Sequence, residues 1–160
     1  MYGGATLSLL NVTIAECRAT TPDKGSAGGI GVYGASVLTM SGGAIRDCEA
    51  PGSGGGLWIG ATAQAHLHGV AVQRCKAQDR GGMYLFGDVS LVDVGIEDCI
   101  GIEEGTIDQD SGALLRAERV RVVEMRGAGL CYIYRERERA GRVCGARARG
   151  EDEVCRALLY

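Results

Sequence analysis

TLSLLNVTIAEC (residues 6–17), VLTMSGGAIRDC (37–48), QAHLHGVAVQRC (64–75) and DVSLVDVGIEDC (88–99) are four versions of one pattern. Aligned on Cys17, Cys48, Cys75 and Cys99, they place Ile14, Ile45, Val72 and Ile96 three positions earlier. Leu9, Met40, Leu67 and Leu91 stand eight positions before the cysteine, and Leu7, Leu38, Ala65 and Val89 stand ten before. Val12, Gly43, Val70 and Val94 fall five before, and Asn11, Gly42, Gly69 and Asp93, all turn formers, fall six before. Apolar residues alternate with polar ones, so each copy reads as short strands with one face inward.

A second marker precedes the later copies. Gly28-Gly29 leads into Ile30-Gly31-Val32-Tyr33, Gly55-Gly56 into Leu57-Trp58-Ile59, and Gly81-Gly82 into Met83-Tyr84-Leu85-Phe86. A fifth copy lacks the cysteine: Leu115, Ala117, Val120 and Val122 fall in the apolar columns, and Met125 takes the place of Cys. Tyr2-Gly3-Gly4 aligns with Tyr33-Gly34-Ala35, so the chain is expected to begin inside a coil, in mid-strand.

A repeat of this length, with no segment long enough for a helix, is one coil of a solenoid whose equivalent strands pair in parallel. The expected fold is all-β: a right-handed parallel β-helix of about five coils over residues 1–125, followed by a basic cap or tail over 126–160. Composition agrees. Twenty-seven glycines and two prolines among 160 residues favour tight turns over linkers or a collagen pattern. With one Phe and one Trp, the core falls to Val, Ile, Leu, Ala and Cys.

The double glycine, an apolar strand and then [Ile/Val]-x-x-Cys resemble the repeats of pectin-lyase-like parallel β-helices. They are most similar to repeats of polymorphic outer-membrane proteins, where Gly-Gly-Ala-Ile and Phe-x-x-Asn play these parts. Here Cys stands for Asn and Ile for Phe, and the literal Gly42-Gly43-Ala44-Ile45 sits in another part of the coil. The resemblance covers about residues 2–125 and implies a fold rather than an activity, because unrelated functions share this scaffold.

The chemistry-bearing residues divide as follows. Cys17, Cys48, Cys75 and Cys99, continued by Met125, read as a buried structural ladder of reduced thiols, since cysteine packs as a small hydrophobe. Cys131, Cys144 and Cys155 lie outside the repeat and lack zinc spacing, which leaves one disulfide among them open. His66 and His68 flank an inward leucine and face outward together, without a third metal ligand. The columns Glu16-Asp47-Arg74-Asp98 and Arg18-Glu49-Lys76-Ile100 alternate charge as facing pairs do. That pattern fits a salt-bridge ladder better than the paired carboxylates of a glycosidase. Glu103, Glu104, Asp108 and Asp110 form an acidic loop, open to a calcium reading but more simply solvated. Asn11-Val12-Thr13 is a formal glycosylation sequon. Tyr33, Trp58, Tyr84 and Phe86 recur on the first strand of successive coils and form the one candidate interaction surface, for a sugar ring, a protein or a pigment. Their alternation leaves inward or outward open.

Residues 1–125 carry 9 basic and 15 acidic side chains, net −6, which argues against nucleic acid, and 126–160 carry 8 and 5, net +3. No apolar run reaches membrane-span length, and Met1-Tyr2-Gly3-Gly4 lacks a signal-peptide pattern, so the compartment stays open. No catalytic residue, cofactor or metal is assigned. The expected function is a non-catalytic structural or interaction module within a larger assembly or a longer chain. Its expected partner is a protein covering an open coil end, or a copy of itself. The alternatives are a glycan-binding surface adhesin and, third, a polysaccharide lyase or hydrolase.

Overall fold

Most strands of the fold are short because the sequence changes character every few residues, at Gly, Asn or a charged corner residue; Thr6–Ala15 and Val37–Arg46 continue through a corner. The computed structural model describes residues 1–21, 27–102, 107–109, 114–125 and 155–159, with backbone alone at 107–109, 124–125 and 155–159. The described residues contain strands and no helix.

The chain runs through β1 (Thr6–Ala15), β2 (Ile30–Val32), β3 (Val37–Arg46), β4 (Glu49–Ala50), β5 (Leu57–Ile59), β6 (Gln64–His68), β7 (Ala71–Gln73) and β8 (Lys76–Ala77). It continues through β9 (Met83–Leu85), β10 (Asp88–Val92), β11 (Gly95–Glu97), β12 (Ile100–Gly101), β13 (Ile107–Gln109), β14 (Leu115–Glu118), β15 (Val120–Met125) and β16 (Cys155–Leu159). Each strand pairs in parallel with its equivalent one rung away, except β16, which pairs antiparallel with β15. The result is a parallel β-solenoid.

The register matches the aligned columns. Leu7, Leu38, Ala65, Val89 and Leu115 are successive Cα partners, and so are Ile14, Ile45, Val72, Ile96 and Val122. The solenoid makes about four turns, fewer than the five expected. The reason is visible in the sheets: the largest has five rungs, from β1 to β14–β15, but the strands returning between them give only β2, β5, β9 and β13 on one side. Five copies of the motif therefore bound four turns.

Two corners turn on left-handed residues. At the first, Asn11, Gly42, Gly69, Asp93 and Arg119 have φ of 51°, 67°, 62°, 54° and 51°. At the second, just before each cysteine, Glu16, Asp47, Arg74 and Asp98 have φ of 57°, 55°, 51° and 52°. The double glycine makes a third corner, where backbones of adjacent rungs close on each other. A methyl group at Gly56 would sit 2.7 Å from the Gly82 carbonyl oxygen, 2.9 Å from Val72 and 3.2 Å from Cys75 Sγ. Only glycine leaves room there for the thiol column behind it.

The core is the stack of inward columns. Leu38, Met40, Ile45, Leu57, Ile59, Leu67, Met83, Leu85, Leu91 and Ile96 are fully enclosed. Their equivalents on β1, Leu7, Leu9 and Ile14, pack against this core but are only partly buried, since among the described residues β1 has a paired strand on one side alone.

Candidate interaction surface and the edge of the first rung

The aromatic residues face outward. In β5 and β9 the flanking residues Leu57, Ile59, Met83 and Leu85 are buried, while Trp58 and Tyr84 between them remain partly exposed. Trp58 is the Cα partner of Gly31 on one side and of Tyr84 on the other. Gly31 has no side chain to fill its outward place, and the Tyr33 ring folds back over it; a methyl group at Gly31 would meet Tyr33 Cε2 at 2.5 Å. Gly60 serves Trp58 in the same way, with the indole 2.8 Å from where its methyl would be.

These gaps let the rings form a ladder. Tyr2 stacks on Tyr33 at 4.5 Å and 7°, and Tyr33 stacks on Trp58 at 4.5 Å and 25°. Tyr84 and Phe86 then meet Trp58 at 6.4 and 6.1 Å in edge and tilted arrangements. Arg80 lies over the Tyr84 ring, 4.0 Å from its centroid. Burial and the neighbouring Tyr2 hydroxyl raise the Tyr33 phenol above its ordinary range. The indole N–H of Trp58 is enclosed and lacks a hydrogen-bond partner. Tyr2 was not among the residues singled out from sequence. The offset that aligns it with Tyr33 was the available signal. The stack has a chemical consequence: the faces of Tyr33 and Trp58 are turned to other rings, so a planar ligand meets mainly ring edges.

The thiols line the interior behind the double-glycine corner. Cys48, Cys75 and Cys99 are buried, Cys17 is partly exposed, and all four are free. Each thiol points back to the carbonyl two residues earlier, from 3.2 Å for Cys48 to 3.4 Å for Cys17, Cys75 and Cys99. Each inner thiol also approaches a carbonyl of the preceding rung: Cys48 to Ile14 at 4.0 Å, Cys75 to Ile45 at 3.7 Å and Cys99 to Val72 at 3.7 Å. Burial pushes Cys48 up to about 11. Hydrogen bonding to Cys99 and burial raise Cys75 as well, so Cys48 and Cys75 are protonated and poor nucleophiles, whereas the hydrogen bond from Cys75 lowers Cys99. The side chain of Met125, the expected fifth member, lies outside the described residues.

The charged columns pair across rungs. Arg74 grips Asp47 at 2.7 and 2.9 Å, and Arg46 reaches the same carboxylate at 2.8 Å. These two arginines hold Asp47 at about 2, well below the usual carboxylate range. Arg18 bonds Glu49 at 2.5 Å, and Arg119 holds Asp93 at 2.5 and 2.8 Å. An open groove of about 500 Å³ follows this corner past Asp47, Arg74, Lys76 and Asp98. Both charge signs line it, and Asp47 is already engaged by arginine. His66 and His68 face outward, with His68 Nε2 3.6 Å from Asp93. Among the described residues no three His, Cys, Asp or Glu side chains are placed to hold a metal, and no helix is long and apolar enough to cross a membrane. The side chains of Glu103, Glu104, Asp108 and Asp110, and those of Cys131, Cys144 and Cys155, lie outside the described residues, as does most of 126–160.

The first rung differs from all this pairing. One side of β1 is covered by β3 through nine Cα partners, and among the described residues no strand pairs with the other. Leu10 on this strand and Tyr2 before it are each 73% exposed. Among the described residues, Cys17, Leu7 and Leu9, and Tyr2 are the first members of the thiol, aliphatic and aromatic ladders. No family model, curated protein or solved structure matches the chain.

Proposed function

We propose that this chain is a non-catalytic structural or interaction module that works as one part of a larger assembly, with its first rung carrying a contact. The observation behind this reading is the edge of β1 that no described strand pairs with: a row of backbone donors and acceptors beside half-covered Leu7, Leu9 and Ile14. Such an edge is a template for another strand. Nothing on β1 discourages pairing, since it carries no charge and no proline.

The resemblance to pectin-lyase-like and outer-membrane repeats suggests a glycan-binding adhesin or a polysaccharide-cleaving enzyme instead. The ring faces consumed by stacking and the carboxylate of Asp47 held by two arginines weigh toward the structural reading. The test is the native size of the protein in an extract of its source, by size exclusion with immunodetection. Elution far above the 16.7 kDa of one chain is expected. Elution as a free single chain would overturn the proposal and send the search to glycan arrays and lyase assays.

A further inference from the structure

We infer that the occupant of the first rung is a second copy of this chain, joined by antiparallel pairing of β1 with β1 across a two-fold axis. This rests on the assembly-module reading above and names its partner.

Three observations carry it. The first is that the exposure pattern of β1 from Leu7 to Ile14 reads the same in both directions, although Thr6 is exposed and its mirror position Ala15 partly buried. Leu7, Leu9, Val12 and Ile14 are half-buried, with Leu7, Leu9 and Ile14 packed against the core, while Ser8, Leu10, Asn11 and Thr13 are exposed. The pattern is symmetric about the bond between Leu10 and Asn11, where the first corner falls. A two-fold interface needs this property, because each residue meets its mirror position on the same strand. Reversed upon itself, β1 sets Leu9 opposite Val12, Leu7 opposite Ile14 and Ser8 opposite Thr13 of the second copy. Aliphatic residues then meet aliphatic ones over the core, and hydroxyls meet hydroxyls outside. A one-residue slip would destroy the match.

The second observation is charge. A two-fold axis brings like residues together near it, so a charged side chain there would repel its own copy. β1 has no ionisable side chain in ten residues. The other rungs of the same sheet carry Arg46; His66 and His68; Asp88 and Glu97; or Arg116, Glu118 and Arg121.

The third is the far end of the sheet. There β16 already lies antiparallel on β15, with Leu159 opposite Val120 and Ala157 opposite Val122. The sheet thus accepts an antiparallel strand at an end. Because that end is taken, head-to-tail stacking into an open fibre is obstructed, while head-to-head pairing closes at two copies.

The experiment is sedimentation of the purified full chain across a concentration series, with Leu10→Lys and Leu10→Glu alone and mixed in equal amounts. The wild type is expected at twice 16.7 kDa at the upper concentrations. Either variant alone weakens the dimer about tenfold or more, since like charges meet near the axis and a Leu contact is lost. Circular dichroism of each variant is expected to match the wild type, because Leu10 faces solvent in the single chain. The equal mixture regains most of the association, which a misfolded variant would not do. A wild type that stays monomeric, a Leu10→Lys variant as tight as wild type, or a mixture no stronger than its components would each overturn the inference. A monomer in vitro together with a large complex in the extract would leave the assembly reading standing and replace the second copy with another protein.

Discussion

The first rung and the inner rungs are built from the same columns but sit in different environments. Leu9 and Leu67 occupy one column, two rungs apart, with Met40 between them. Leu67 is 1% exposed, whereas Leu9 is only partly buried. Cys17 and Cys75 differ in the same way. Burial here is conferred by the coil above and below, not by the residue or its local sequence. A solenoid is a one-dimensional stack in which stability is shared between neighbours, and its ends hold less of it.

The sharpest contrast is expected at glycine. A methyl group at Gly81 would run into the Ile100 carbonyl of the following rung, whereas Gly4 has nothing within 4 Å. Gly81→Ala should cost about 3 kcal/mol or more, enough to threaten folding, by overpacking against backbone. Gly4→Ala should cost about 1 kcal/mol, from its positive φ alone. Comparable losses in urea denaturation would break the comparison.

The next contrast uses one substitution twice. Leu67→Ala should destabilise by about 3 kcal/mol, and Leu9→Ala by about 1 kcal/mol, as the second leaves a surface dent rather than a cavity. Midpoints of urea melts at equal slope would measure both, at concentrations low enough to keep single chains.

Local strain should ignore rung number. Glu16 and Asp98 share the second corner with φ of 57° and 52°. Glu16→Gly and Asp98→Gly should each raise stability by about 1 kcal/mol or less, and by similar amounts, as the left-handed strain is relieved. A gain at one end only would mean that stacking sets the corner geometry.

The smallest effect expected is electrostatic. The Asp47 carboxyl is held below its unfolded value, so its contribution is present above about pH 4 and is lost as pH falls toward 2. Asp47→Asn should remove that segment of the acid-denaturation curve. At the other extreme, Cys48 keeps its proton to about 11, while an unfolded thiol ionises near 9.0, so stability should fall as pH rises through that window.

The columns were legible because each inward residue repeats at the same offset from cysteine, and nothing local competes with a period of two. The number of turns was less so, because a motif count marks rungs and not the returns between them. The orientation of Trp58 and Tyr84 could not be read: in Leu-Trp-Ile and Met-Tyr-Leu every residue is apolar, and the outward place is decided by the room at Gly31 and Gly60. The second corner was hidden because Glu16 and Arg74 are not turn formers, although Asp47 and Asp98 in the same column are. That β-branched residues are absent from that column in all four copies was the clue. The near-symmetry of β1 from Leu7 to Ile14 needed its exposure pattern.

The most direct test of this stacked account is alkylation of the native protein, followed residue by residue with mass spectrometry. Cys17, on the first rung, should label first. Cys48, Cys75 and Cys99 should label only as fast as the protein unfolds, and none should be found in a disulfide with another of the four. Labelling of the three inner thiols at the rate of Cys17 would contradict the ladder and the solenoid built around it.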